Sequence, residues 1–239
     1  MKEHATKKKE PVIADCEFQD AASKVAFGKG HGNLFVNRKR ILYWSIAIVI
    51  AVVATICAFH FDDAMHNYIT AHQNRGLQNF MRNVSRFGDW PEHLAFGLVG
   101  AGVAWLGKNK KWTRVFLSML LACAIAGTVA RAVKIATGRA RPSVKSEEVW
   151  NGPRLSSKYH AFPSGHTAAS TAFFAVLFFV NWRIALACFP IPIAIALSRM
   201  YVTAHYLSDV VVAAMLGILA AYLVTRWLLG EIENRQSEI

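Results

Sequence analysis

Residues Ile41–Phe59, ILYWSIAIVIAVVATICAF, run for 19 positions without a charged side chain. In an α-helix, at about 1.5 Å per residue, the stretch reaches roughly 28 Å, close to the thickness of a bilayer's hydrocarbon core. The run is longer than the apolar core of a cleaved leader and follows a long polar segment, so it reads as an uncleaved first membrane span. Further charge-free runs follow at Leu94–Gly107, Val115–Ala130, Thr167–Trp182, Ile184–Ser198 and Val210–Thr225. Each is short alone, but aromatic, histidine or basic residues border it and can complete the crossing at the interface. The pattern predicts an all-α, polytopic membrane protein with six transmembrane helices in one bundle.

Composition agrees. With 54% of 239 residues hydrophobic and a mean hydropathy of +0.28, the chain is too apolar for an ordinary soluble domain. Three parts are expected: a polar, disordered cytoplasmic tail over 1–37, the six-helix domain over 38–230, and a cytoplasmic C-terminal tail over 231–239. The net charge of +12 flanks membrane segments, so bilayer orientation accounts for it better than nucleic-acid binding. Cys57, Cys123 and Cys188 lie in apolar runs and Cys16 in the tail, which suggests neither a disulfide framework nor a CxxC metal site.

Nine Lys or Arg precede the first span, which argues for a cytoplasmic N-terminus. Lys108, Lys110, Lys111 and Arg114, between the second and third spans, support that orientation. Counted from there, spans three and five end outside and spans four and six begin outside. Lys134 and Arg141 follow span three, Ser164 and His166 open span four, Arg199 ends span five, and His205 and Asp209 open span six. All seven then fall on the outer face. The outer stretch Arg131–Pro163 carries seven Lys or Arg, against the positive-inside tendency, and an anionic ligand would explain it.

The residue types suit phosphate. Pro163 and Ser164 lead into a helix whose free N–H groups and dipole favour an anion, Gly165 removes bulk beside that backbone, and His166 adds a proton donor. His205 and Asp209, at i and i+4, share a helix face. Asp209 can then accept from one imidazole nitrogen and leave the other basic, as a nucleophilic imidazole requires. Arg199 brings a bidentate fork to the same rim. HFDDAMH, His60–His66, groups two histidines and two aspartates, but its spacing matches no metal motif, and Asp62 or Asp63 reads as a helix N-cap. Leu77, Phe80, Met81, Val84 and Phe87 recur near a helical period, as in an amphipathic segment at the interface or packed on the bundle.

KIATGRARP from Lys134, PSGH from Pro163 and SRMYVTAHYLSD from Ser198 resemble the three signature motifs of the type 2 phosphatidic acid phosphatase family, K-x6-RP, PSGH and SR-x5-H-x3-D. Every signature position and both internal spacings match. The resemblance implies a membrane lipid phosphatase with its site at the outer face of a bacterial inner membrane. In it His166 protonates the leaving oxygen, His205 forms a phosphohistidine, and Asp209 orients His205. Lys134, Arg141, Ser164, Gly165 and Arg199 bind the phosphate. No metal or cofactor is needed for those roles. The expected partners are a lipid phosphate and the bilayer. Phosphatidic acid, phosphatidylglycerol phosphate, undecaprenyl pyrophosphate and lipid A phosphate all remain open as substrates. Two other classes stay open as well: a phosphotransferase that passes the phosphate to another acceptor, and a transporter whose outer cations attract anions. Transport is disfavoured because the six apolar cores lack Asp, Glu, Lys and Arg.

Overall fold

The structure, a computed structural model, describes residues 38–144 and 146–230; the two tails expected at 1–37 and 231–239 lie outside them. The chain divides into two compact units, Met1–Val52 and Val53–Ile239. In the first, the described residues belong to helix α1, Arg38–His60, and present apolar side chains such as Ile48, Val49 and Ile50 to the surroundings. The second holds the remaining helices: α2 Asp62–Ala71, α3 Arg75–Arg86, α4 Trp90–Leu106, α5 Lys110–Thr137, α6 Gly165–Val180, α7 Trp182–Cys188, α8 Pro190–Tyr201 and α9 Leu207–Leu228. A turn of 3-10 helix covers Ser157–Tyr159, and the β-pairing among the described residues is one isolated bridge, Arg139 with Trp150.

Each charge-free run lies largely in helix, with two corrections. Asn181 ends the fourth run short of Trp182, because its side chain accepts from the N–H groups of Arg183 and Ile184 and so caps α7. Pro190 divides the fifth run: it has no N–H to continue α7, and its fixed φ suits the first turn of α8. Among the described residues four helical stretches, Arg38–His60, Lys110–Thr137, Trp182–Tyr201 and Leu207–Leu228, are long and apolar enough to cross a membrane, and Gly165–Val180 is a shorter apolar helix. The protein is an all-helical membrane protein.

α6 forms the centre, packed against α5 and α9. Small residues make this possible: Ala122, Ala126 and Ala130 on α5, Ala168 and Ala172 on α6, and Ala213, Ala220 and Ala221 on α9 are all buried. At Gly217 a Cβ would stand 2.7 Å from the Ala168 carbonyl oxygen, so only glycine lets α9 lie this close to α6. Phe173 and Met119 fill the remaining space. α3 packs on α8, with Leu77, Phe80 and Phe87 of its apolar stripe still exposed.

The connection from α5 to α6 sets the site. Gly138 ends α5 in the left-handed region, φ 55°, and a Cβ there would collide with the Gly152 carbonyl. Beyond it the backbone of residues 138–141 is tied on both sides, through Ala140 N–H to Val149 O and through Ala161 N–H to Arg139 O and Arg141 N–H to Lys158 O. Arg139 and Arg141 therefore sit on backbone pinned from two directions.

Candidate active site

Lys134, Arg141, Gly165 and His166 line one cavity of about 560 Å³ between α4, α5 and α6. Lys134 reaches it from the last turn of α5, its ammonium donating to the His160 carbonyl at 3.2 Å. Gly165 and His166 are the first residues of α6, whose first-turn N–H groups have no helical acceptor. The far walls, among them Leu94, Leu120 and Ala124, are apolar, so the cavity joins a cationic end to a hydrocarbon-like one.

His205, Ser164 and Asp209 lie beneath, each 3% exposed or less. His205 Nδ1 stands 2.6 Å from the Ala161 carbonyl oxygen. A carbonyl only accepts, so Nδ1 carries the hydrogen, and in the neutral ring Nε2 holds the lone pair. Burial, then the charges of Lys134, Arg199 and Arg141, hold His205 well below the ordinary imidazole range. It is therefore neutral at pH 7, with the lone pair at Nε2. The hydrogen bond expected from Nδ1 to Asp209 is made to Ala161 instead, and Asp209 Oδ2 stands 3.6 Å from Nδ1. Ser164 donates its N–H to the Asp209 carbonyl at 3.0 Å, which fixes the start of α6 to the start of α9, and its hydroxyl accepts from Thr167.

Arg199, from the last turn of α8, donates to Ser85 Oγ at 2.5 Å. The Nε–H groups of Arg139, Arg141 and Arg199 are buried and meet no acceptor among the described residues; Arg139 spends its other donors on two carboxylates. Unmet buried donors are costly, and phosphate oxygens are the acceptors such forks fit.

Several functional neighbours escaped the sequence reading. Arg139, in the variable part of the first motif, donates to Asp209 Oδ1 at 2.5 Å, Asp62 Oδ2 at 2.7 Å and Ser208 Oγ at 2.7 Å. Its guanidinium lies over the rings of Phe59, Trp150 and Tyr206. Asp62 is not the expected N-cap: Phe61 holds that position, and Asp62 accepts from the Ser208 N–H and hydroxyl instead. Asp89, ahead of α4, places Oδ1 2.6 Å from His166 Nε2. Burial and the nearby Glu92 raise its carboxyl above the usual range, with Arg199 among the groups opposing them. Asp62 and Asp89 lie in the segment 60–92, which carries no motif of its own. Asp62 is spent on Arg139, and among the described residues no group of three or more His, Cys, Asp or Glu is placed to hold a metal ion.

Known proteins resemble the chain in sequence and in fold. The lipid A 1-phosphatase of Rhizobium johnstonii is 35% identical over 124 residues, which cover 48% of this chain and 45% of that protein; the chain thus spans about half the length of this curated relative. The crystal structure of a transmembrane PAP2-type phosphatidylglycerolphosphate phosphatase from Bacillus subtilis superposes with a TM-score of 0.58 at 19% identity, covering 75% of this chain and 92% of that one. That of Aquifex aeolicus LpxE gives 0.51 at 20% identity, covering 70% and 95%; at these identities the likeness is one of fold. A family model described as the PAP2 superfamily matches residues 114–233, the stretch that carries all three motifs and every residue lining the cationic end of the cavity from α5 onward, and the chain belongs to that superfamily.

Proposed function

We propose that this chain hydrolyses a phosphate monoester or pyrophosphate on a membrane lipid through a phosphohistidine at His205. The reading rests chiefly on one observation: two arginines with unmet buried N–H donors beside an imidazole whose tautomer a carbonyl fixes. Lys134, Arg141, Arg199 and the N–H groups at the start of α6 hold the phosphate oxygens and stabilise the charge of the transition state. His205 Nε2 attacks phosphorus, the bond to the leaving oxygen breaks, and His166 gives that oxygen its proton. Water then attacks the phosphohistidine, His166 takes the proton from water, and phosphate leaves. Asp209, held by Arg139, offsets the positive charge that develops on His205. These groups supply nucleophile, acid and cations without a metal ion or cofactor.

An apolar wall next to the cations suits an amphiphile whose tail stays in lipid. Lipid A phosphate and phosphatidylglycerol phosphate lead the candidates by the names of the relatives, with phosphatidic acid and undecaprenyl pyrophosphate after them. α4 and α6 complete a set of six spans, with both termini cytoplasmic and the site on the outer side of a bacterial inner membrane. The alternative reading, transfer of the phosphate to an acceptor other than water, uses the same first step. Purified protein incubated with this lipid panel is expected to release inorganic phosphate, to keep its activity in EDTA and to lose it to vanadate. Loss in EDTA that Mg²⁺ restores would contradict the mechanism. A cysteine at position 110 is expected to react with impermeant reagents only from inside.

A further inference from the structure

The segment ahead of α4 reaches the site through a close approach that its sequence requires. At Gly88 a Cβ would stand 2.5 Å from Ile195 Cγ2 and 3.2 Å from His166 Cβ and Cδ2, so only glycine brings this backbone against α8 and α6. The next residue, Asp89, then sets Oδ1 2.6 Å from His166 Nε2. Its own carbonyl accepts from His93 Nδ1 at 2.8 Å, which holds the turn at the start of α4. Four residues before Asp89, Ser85 accepts from Arg199.

Consider what His166 must do on the proposed reading. Its protonated form adds a cation to a cavity already lined by Lys134 and Arg141, with Arg199 acting on it as well. Like charges oppose that proton, and an anion at the ring offsets them. The substrate supplies one such anion, and Asp89 supplies another in contact with the ring. A carboxylate at 2.6 Å takes Nε2–H as its donor, so the proton for the leaving oxygen comes from Nδ1.

We propose that Asp89 is the positioning residue of the proton donor: it fixes His166 with Nε2 outward and Nδ1 toward the leaving oxygen, and it stabilises the imidazolium. The inference rests on the reading of His166 as general acid. The charged and titratable groups facing Asp89 are Arg86 on α3, Glu92 and His93 on α4, Arg199 on α8 and His166 on α6. Those facing His166 are Lys134 on α5, Arg141 in the following connection, Arg199 on α8 and His205 ahead of α9.

The test compares full-length Asp89→Asn, Asp89→Glu, Glu92→Gln and His166→Ala proteins, each shown to be membrane-inserted and monodisperse. The substrates are a lipid phosphate, which needs a protonated leaving group, and p-nitrophenyl phosphate, which does not. Asp89→Asn is expected to lower kcat on the lipid by about 10- to 100-fold, part of the 10²–10⁴ that a general acid supplies, with KM little changed and most of the loss absent on the aryl ester. Its alkaline limb of kcat on the lipid should move to lower pH, because without the anion His166 gives up its proton sooner; this readout needs no aryl substrate. Asp89→Glu should restore much of the rate, and Glu92→Gln should leave the ratio between substrates unchanged. An unmoved alkaline limb in Asp89→Asn, or equal losses on both substrates while His166→Ala does discriminate, overturns the role of Asp89 and leaves His166 as the acid. If His166→Ala shows neither discrimination nor loss of the alkaline limb, the reading of His166 fails and the inference about Asp89 fails with it.

Discussion

Residues 134–209 and residues 60–92 meet at one place and contribute different things to it. The first region supplies every group expected to touch phosphate: Lys134, Arg141, Gly165 and His166 around the cavity, with Arg199 and His205 close by. The second, which carries no motif, supplies the partners of those groups. Asp62 meets Arg139, Ser85 meets Arg199, and Asp89 meets His166. Groups that do chemistry on phosphorus must be of particular types in particular order, so they leave a pattern in the chain. A group that only holds another can be any small acceptor, and it can arrive from any element that packs nearby.

The sharpest way to break this division is to remove a chemical group. His205→Ala should abolish turnover, because the hydroxyl next to Asp209, Ser208 Oγ, is buried and bonded to Arg139 and Asp62, and water alone faces a barrier higher by several kcal/mol. His166→Ala should lose about 10²–10⁴-fold on a lipid substrate and recover much of it on an aryl phosphate. Steady-state rates on both substrates decide it, and rescue of His205→Ala in place of His166→Ala would exchange the two roles.

Removing a holding group should show first in stability. Arg139→Met leaves the Asp62 and Asp209 carboxylates buried without their cation, a change worth about 3–5 kcal/mol, so the unfolding temperature in detergent should fall markedly. An unchanged unfolding temperature would mean that the ion pairs do not hold α2 to the start of α9. The smallest effect is expected at Ser85→Ala. It removes one hydrogen bond to the partly buried Arg199, worth about 1 kcal/mol, and should raise KM several-fold with kcat nearly unchanged.

The same division governs how much could be read in advance. The helices were legible because a span must exclude charge, so six apolar runs marked the helical stretches that hold them. Their internal breaks were not, since Asn181 and Pro190 act through single hydrogen bonds that hydropathy does not register. That Lys134, Arg141, Gly165 and His166 would meet around one cavity was legible because the spacing of the apolar runs puts them at the same ends of their helices. Arg139 was hidden in a variable position of the first motif, one of seven cations in the outer stretch Arg131–Pro163. Asp89 was invisible because its partner lies far along the chain, and the close approach at Gly88, ahead of α4, joins them. The partner of His205 Nδ1 was misread for a related reason: spacing at i and i+4 brings Asp209 near, but a backbone carbonyl from Ala161 comes nearer.

The central claim is that phosphorus passes through His205, and through one nitrogen of it. Rapid quenching of the enzyme during turnover of a ³²P-labelled lipid phosphate at alkaline pH, where phosphoramidates survive, followed by peptide mapping, reads this directly. The hydrogen bond from Nδ1 to the Ala161 carbonyl predicts a phosphohistidine on His205, bonded at Nε2. Label on His166, label at Nδ1 of His205, or turnover with no covalent phosphoenzyme would contradict it.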